Sequence, residues 1–187
     1  MNGFLTVAKF PKEPTKRQMA RMRQKLVRER KWILYCLTFP KPEMMRAFLD
    51  LASSGGMEGD EYWDTLAGVW REIDNLWQYK WAFPRMFSYE WGPHDAFMTA
   101  EDREFLASLP ETLTIYRACR KGVDEHGPSW TLDKGYANRL MGWMRRDLLR
   151  ERTVSKAKVF AALNDNEQEI IIFDELEQYL REGKTQE

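Results

Sequence analysis

The sequence predicts an α+β protein in which a helical N-terminal part packs on a small, split, mostly antiparallel sheet. Apolar residues recur at helical spacing from Tyr62 to Trp77, the strongest periodic signal in the chain. After residue 111, short runs rich in β-branched and aromatic residues alternate with turn sequences. The chain has 187 residues, of which 43% are hydrophobic, so it has enough apolar surface to bury a core.

Residues 1–31 form a predicted basic helical head. They hold ten Lys or Arg against two Glu, a local charge of +8, although the whole chain has 29 basic and 29 acidic residues. A helix is expected from a cap at Thr15 to about Lys31, with three apolar residues on one face: Met19, Met22 and Leu26. We interpret it as a solvated helix docked on the body of the protein or on the acidic tail. The alternative is that residues 9–31 contact nucleic acid or another anionic partner.

Residues 32–110 form the predicted mainly helical part. Pro42 suits a first helical position, and Thr99 with Asp102 three residues later predicts the N-cap of another helix. The tryptophans of this part follow the helical period, so we expect them to pack in the core rather than to form an aromatic cage. They are Trp32, Trp63, Trp70, Trp77, Trp81 and Trp91.

Residues 111–187 form the predicted β-core with an acidic tail. Strands are expected at 113–117, 129–131, 159–163 and 169–173, the last two joined by a tight turn at 164–166.

Two helices are expected in this last part of the chain. Asp133 is a candidate cap for a helix whose apolar positions run from Ala137 to Leu148. Residues 165–187 carry eight acidic against two basic residues, a local charge of −6, and 174–182 are expected to be helical. We expect residues 32–187 to form one compact unit.

Composition and motifs exclude several classes of protein. The longest apolar run, from Trp32 to Leu37, is far shorter than the roughly 20 residues that span a bilayer. The N-terminus lacks the pattern of a secretory leader, and with only two cysteines we expect a reduced, cytoplasmic protein. No spacing of Cys and His suggests a metal site, and no common nucleotide-binding or hydrolase motif occurs.

Three short motifs remain as candidates for chemistry. Tyr116-Arg117 ends the first predicted strand, Ser129-Trp130-Thr131 forms the next, and Glu167-Gln168-Glu169 opens the last. Carboxylates two residues apart on a strand point to one face. Like charges in that position are unfavourable unless a cation or a reacting centre compensates, and Arg117 is the obvious cation.

In their order, these motifs resemble those of the mono-ADP-ribosyltransferases of the Arg-Ser-Glu class, the cholera-toxin-like enzymes. Within residues 110–175, three segments are similar to small bacterial and prophage proteins with a YRG…G-x-SWT…A…E-x-E-x-I pattern: 113–117, 127–137 and 159–172. The resemblance implies an ADP-ribosyltransferase-like β-core and NAD as substrate. Ala118 stands where close relatives often have glycine, and Thr131 supplies the third hydroxyl of the Ser-Thr-Ser motif.

The resemblance also implies roles for the motif residues. Arg117 would hold phosphate or ribose oxygens through paired hydrogen bonds. Ser129 would orient the catalytic Glu169, which would bond the 2′-hydroxyl of the nicotinamide ribose and stabilise an oxocarbenium-like centre. Glu167 would activate the acceptor. The Ala118 backbone would receive the nicotinamide amide.

Three further residues are candidates for the NAD site by the same resemblance. Trp130 or Tyr136 would wall the pocket, and Thr131 belongs to the hydroxyl motif beside it.

The implied activity is transfer of ADP-ribose from NAD to a macromolecule, first of all to an arginine of a protein, in a bacterial or phage context. Two alternatives stay open. One is an NAD glycohydrolase, with water as the acceptor. The other is a non-catalytic module that binds nucleic acid or an acidic partner through its basic helix.

Overall fold

A computed structural model of the chain describes residues 14–87 and 92–183, and within them the fold is α+β. The helices are α1 (Lys16–Arg28), α2 (Trp32–Cys36), α3 (Lys41–Ser53), α4 (Gly59–Glu72), α5 (Phe83–Met86), α6 (Ala100–Ser108), α7 (Lys134–Trp143) and α8 (Asp174–Gly183). The strands are β1 (Thr112–Cys119), β2 (Ser129–Thr131), β3 (Leu148–Ser155), β4 (Ala161–Leu163) and β5 (Glu169–Ile171). They form one sheet in the order β3-β1-β2-β5-β4, in which every neighbouring pair is antiparallel.

The basic helix begins where the sequence predicts. Thr15 and Gln18 form a capping box, so the N-cap prediction is confirmed. The helix ends at Arg28, three residues before the predicted end, because Arg30 adopts a left-handed φ of 54° that a helix does not accommodate. Residues 9–13 of the predicted anionic contact lie outside the described residues.

The helix α1 docks on the body of the protein. Arg23 donates hydrogen bonds to the hydroxyl and carbonyl oxygens of Thr38 at 2.8 and 2.9 Å and lies 3.5 Å from the ring centroid of Phe39. In the acidic tail, Asp174 and Glu175 are engaged elsewhere, since they pair with arginines of β3. Of the two expected dockings, the one on the body is therefore the one observed.

The larger core lies between the helices and one face of the sheet. Trp63 and Trp70 of α4 are 1% and 2% exposed and contact a group of phenylalanines from later elements: Phe83, Phe87, Phe97 and Phe160. Trp32 and Trp77 are buried as expected, whereas Trp81 is 58% exposed, so the core prediction is wrong for Trp81. Trp91 lies outside the described residues.

A smaller core lies on the opposite face of the sheet. The alternation along each strand directs Ile170 and Trp130 to this side, whereas Glu169 and Ile171 face the helices. Phe105, Leu106 and Leu109 cover the smaller core from the α6 side. Glu169 therefore enters the structure at the junction of the helical part and the sheet.

The strand β3 is absent from the sequence prediction, which extends the helix after Asp133 to Leu148. Observed α7 ends at Trp143, and residues 148–155 pair with β1 over eight positions. The sequence pattern does not predict this strand because its inward positions include Arg150 and Arg152. Their guanidinium groups lie 5.3 and 5.9 Å from the ring centroid of Trp130. Arginine side chains can cover apolar surface in this way without producing a hydrophobic pattern.

None of the helices in the described ranges is both long and apolar enough to cross a membrane.

Asp102 joins three parts of the fold. Its carboxylate is almost completely buried, caps α6 by accepting from the Thr99 amide at 2.9 Å, and accepts from the Asn164 amide at 2.7 Å. Arg71 of α4 completes the cluster with an ion pair. Asp102 therefore holds the turn before β5 against both α4 and α6.

We predict that Asp102→Ala lowers the free energy of unfolding by about 3 kcal/mol, because Arg71 and two amide groups lose their acceptor in a buried place. Urea denaturation measures the change. Glu104→Ala on the exposed side of α6 is the control and is expected to stay within about 0.5 kcal/mol of wild type. Equal losses in the two variants would contradict this account of Asp102.

Candidate functional site

A cleft with a volume of about 260 Å³ lies between the end of α4 and the sheet. Residues 73–77, which follow α4, form one wall, and α7 contributes to another. All eight candidate residues from the sequence border this cleft: Arg117, Ala118, Ser129, Trp130, Thr131, Tyr136, Glu167 and Glu169. Three stretches that are far apart in the chain thus converge on one site.

Glu169 is the buried acid of the cleft. It opens β5, pairs in register with Thr131 of β2, and is 8% exposed. Burial raises the pKa of Glu169 to about 7, although hydrogen bonds from Ser129 and Trp70 favour the charged form. At neutral pH this carboxyl group therefore exists in both protonation states.

Trp70 is a site residue that the sequence analysis missed. Its indole Nε1 donates to both carboxylate oxygens of Glu169, at 3.1 and 3.3 Å. The helical period correctly predicts that Trp70 is buried, but periodicity carries no information about which polar group a buried indole meets 99 residues away. The N–H group of a buried tryptophan needs a hydrogen-bond acceptor, and this is the one signal in the sequence from which a polar partner of Trp70 could have been predicted.

Arg117 is the cation of the cleft. Its guanidinium donates to the backbone carbonyls of Asp124, at 3.1 and 3.3 Å, and of Ser129. Among the described residues no carboxylate lies within ion-pair distance of it. Burial lowers the pKa of Arg117, and the charges of Asp124 and Glu169 oppose that shift. Because arginine keeps its proton in proteins, the cleft contains a positive charge that no direct partner neutralises.

The loop between β1 and β2 holds Arg117 in place. The Asp124 carboxylate is 1% exposed and binds Arg120 and Arg146, which fixes the loop whose carbonyl receives Arg117. Gly127 lies against the guanidinium so closely that an added Cβ would come within 2.6 Å of Arg117 Cζ. Any larger residue at this position would therefore displace the guanidinium from its place in the cleft.

Glu167 lies at the mouth of the cleft and is held on two sides. Tyr136 donates its hydroxyl to the Glu167 carboxylate, and the Thr131 hydroxyl donates to the Glu167 carbonyl. The Glu167 amide donates to Asp165 at 2.9 Å. Burial and the Glu167 charge raise the pKa of Tyr136, so the phenol remains a donor. Gln168, with a left-handed φ of 47°, turns the chain between the two glutamates.

Ala118 lies where β1 and β2 separate. The only register pair between these strands is Tyr116 with Thr131, within the part of the chain that the structure describes. The Cys119 carbonyl points to the β3 side, where it accepts a hydrogen bond from the Asp147 amide. Because successive residues of a strand direct their amides and carbonyls to opposite sides, those of Ala118 point toward the gap beside β2.

Trp130 and Thr131 have structural contacts that the sequence analysis did not predict. The Trp130 indole is 3% exposed and packs in the smaller core, so the residue supports the cleft from behind instead of walling it with its ring. The Thr131 hydroxyl accepts from the Asp133 amide at 2.9 Å while donating to Glu167, so it positions the second glutamate.

Charges of both signs line the cleft. Arg117 lies on its β1 side together with Arg146, which binds the buried carboxylate of Asp124, and we call this side the cationic end. Glu169 lies on the β5 side, with Glu167 and Asp165 in the turn before that strand. Such an arrangement suits a ligand with a negatively charged part and a part that becomes positive during reaction. The described residues contain no cluster of three or more side chains suited to a metal ion.

Compared with known proteins, the chain matches no family model, no curated protein and no solved structure.

We predict that Gly127→Ala lowers the free energy of unfolding by about 1–3 kcal/mol, because the new methyl group displaces Arg117 from its carbonyl acceptors. Gly142→Ala in α7 is a matched control with open space around it. There the substitution should stabilise the helix by about 0.5–1 kcal/mol. Thermal and urea denaturation measure the change in the free energy of unfolding of each variant. If both substitutions stabilised the protein, the close contact between Gly127 and Arg117 would be contradicted.

We predict that Trp70→Phe raises the pKa of Glu169 above its wild-type value of about 7, because the charged form loses a donor while remaining buried. Carbon-detected NMR titration of the glutamate side chains measures the shift. Trp77→Phe, which also borders the cleft, should leave this pKa unchanged. A Glu169 pKa that falls in the Trp70 variant would refute the assigned hydrogen bond.

Proposed function

We propose that this chain is an NAD-dependent glycosyl transferase that uses the cleft to break the bond between nicotinamide and ribose. More specifically, we propose a mono-ADP-ribosyltransferase of the Arg-Ser-Glu class, which transfers ADP-ribose to a protein side chain. The observation that carries the proposal is the meeting, in one cleft, of an unneutralised arginine and a buried glutamate with a pKa of about 7. The ADP-ribosyltransferase-like character of the β-core is part of the same proposal.

The cationic end of the cleft supports binding of the NAD pyrophosphate. Arg117 is held by carbonyl oxygens, which position the guanidinium without neutralising it. Arg146 borders the same end. A guanidinium donates paired hydrogen bonds to phosphate oxygens, and in a partly buried site these charge-assisted bonds are strong.

The buried glutamate supports the bond-breaking step. As nicotinamide leaves, positive charge develops on the C1 and ring oxygen atoms of its ribose. The ionised Glu169 carboxylate would stabilise that charge and accept a hydrogen bond from the ribose 2′-hydroxyl. Trp70 and Ser129 hold the carboxylate in one orientation, so it does not reorganise as charge appears.

The gap between β1 and β2 is the place where we propose that nicotinamide binds. The Ala118 amide and carbonyl point into this gap, and a carboxamide can both donate to and accept from such a backbone segment. The Ala118 side chain is a single methyl group, the smallest addition to the glycine that often stands at this position in the ADP-ribosyltransferases that the motifs resemble. Tyr136 and Leu140 of α7 border the cleft nearby.

Glu167 supports the choice of an arginine acceptor. A guanidinium nitrogen would form the new bond to C1 of the ribose as the bond to nicotinamide breaks, and its proton would pass to the Glu167 carboxylate. Nicotinamide would leave as a neutral molecule. Asp165 adds negative charge at the same mouth, which would attract a cationic side chain.

NAD glycohydrolysis is the second candidate. The turn between β4 and β5 spans only residues 164–168, so little chain stands beside Glu167 to recognise a protein acceptor. In this case water would take the place of the guanidinium, and Glu167 would accept its proton.

We predict that Glu169→Gln reduces release of nicotinamide from NAD by about 100-fold to 1000-fold, because a preorganised charge at the reacting centre is lost. Incubation with NAD labelled in the adenylate part and a cell lysate, followed by mass spectrometry, measures both nicotinamide and modified proteins. Glu104→Gln on exposed α6 is the charge-matched control and should retain both. Undiminished nicotinamide release by the Glu169 variant would overturn the proposed role.

We predict that Glu167→Gln reduces labelling of proteins by at least about tenfold while nicotinamide release persists, because acceptor activation is lost but the charge of Glu169 remains. The same assay gives both readouts. Free ADP-ribose without labelled protein in the wild type would identify the glycohydrolase instead. Parallel loss of both readouts in the Glu167 variant would contradict an acceptor-specific role.

A further inference from the structure

The helix α1 carries a stripe of basic residues on one face. Arg17, Arg21, Lys25 and Arg28 follow one another at intervals of four, four and three residues, which places them along one side of a helix. Met19 and Leu26 lie on another side and are half-buried against the protein. The sequence of α1 contains no acidic residue.

Three arginines of this stripe lack internal partners. Within residues 14–87 and 92–183, Arg17, Arg21 and Arg28 form no hydrogen bond, ion pair or contact with a ring, and Lys25 has only a long pair with Glu29 at 3.7 Å. Arg23 on the same helix is bound to Thr38. Like charges four residues apart destabilise a helix. Glu29 and the C-terminal end of the helix dipole offset this for Lys25 and Arg28, whereas Arg17 and Arg21, nearer the N-terminus, have no such compensation among the described residues.

In the described part of the acidic tail, residues 165–183, no acid pairs with this stripe. Asp174 pairs with Arg152 and Lys158, and Glu175 pairs with Arg150 and Arg152. These contacts hold α8 to β3. The acids near the C-terminal end of α1 are engaged mainly by residues after the helix. Glu29 pairs with Lys31 at 2.9 Å and more distantly with Lys25, and Glu61 binds Arg30.

We propose that the basic stripe of α1 binds the phosphate backbone of a nucleic acid. A helix of 13 residues is about 20 Å long, so its stripe can follow several successive phosphates. Three of the four cations are arginines, whose planar guanidinium groups suit phosphate oxygens. Backbone phosphates carry the same charge at every position, so we expect binding that is mainly electrostatic and independent of sequence.

A membrane surface fits this helix less well. An interfacial helix inserts an apolar face between lipid headgroups. Here Val27 packs against the larger core, and Arg23 anchors the helix to Thr38 and Phe39. Of the large apolar side chains of α1, only Met22 is exposed, at 41%, and a single methionine is a small apolar face to insert into a membrane.

This inference is independent of the proposed NAD chemistry, because it rests on α1 and not on the cleft. The test measures fluorescence anisotropy of labelled 20-nucleotide single-stranded RNA and of a DNA duplex, titrated with the full chain at several salt concentrations. The triple variant Arg17→Gln, Arg21→Gln, Arg28→Gln keeps good helix formers on the exposed face. The triple variant Lys41→Gln, Lys121→Gln, Lys158→Gln removes the same charge elsewhere.

For duplex DNA, the affinity of the wild type should fall steeply as the salt concentration rises. In the α1 variant, the slope of log affinity against log salt concentration should be smaller by about 2–3, and the affinity should be at least about tenfold lower. The control variant should retain most of both. Salt-independent or absent binding by the wild type, or an equal loss in the control, would overturn the inference. Binding to vesicles of phosphatidylcholine and phosphatidylserine, or to polyglutamate, more tightly than to either nucleic acid would also overturn it.

Discussion

The contact between the Trp70 indole and the Glu169 carboxylate joins the two parts of this protein. Glu169 is 8% exposed, and its burial disfavours the charged carboxylate and raises the pKa to about 7. Trp70 and Ser129 reduce the penalty from opposite sides of the junction, one from α4 and the other from β2. The helical part thus does more than cover the sheet, because its Trp70 favours the charged form of the buried acid.

Neighbouring contacts reinforce this junction. Arg71 follows Trp70 on α4 and binds Asp102, which in turn accepts from the amide of Asn164 at the start of the β4–β5 turn. The turn then presents Glu167, whose position is held by Tyr136 and Thr131. At the other end of the cleft, backbone carbonyls hold Arg117 with its charge unneutralised. Strand β2 lies between Arg117 and Glu169, and no ion pair joins these two residues.

The local features of the fold were predictable from sequence because their causes are local. Thr15 and Thr99 cap helices through residues three positions away, and the turn at 164–166 joins two short strands as its composition predicts. The site motifs could be named from their order, and their convergence depends on the sheet order that brings β2 between β1 and β5. Strand β3 could not be predicted from its hydrophobic pattern, because arginines occupy some of its inward positions.

Contacts between distant residues set the limit of the sequence analysis. The bond from Trp70 to Glu169 spans 99 positions, and the fit of Gly127 against Arg117 depends on the course of the intervening loop. The inward direction of the Trp130 ring follows from strand register, which a three-residue strand does not reveal by itself. In each case the sequence shows the type of residue but does not show which distant residue it contacts.

The most direct measurement is the rate at which the purified chain releases nicotinamide from NAD between pH 5 and pH 9, without any added acceptor. The account predicts measurable release that increases as the pH rises through about 7, because the ionised form of Glu169 is the one that stabilises the developing charge. Release no faster than in buffer alone across this whole range would contradict it.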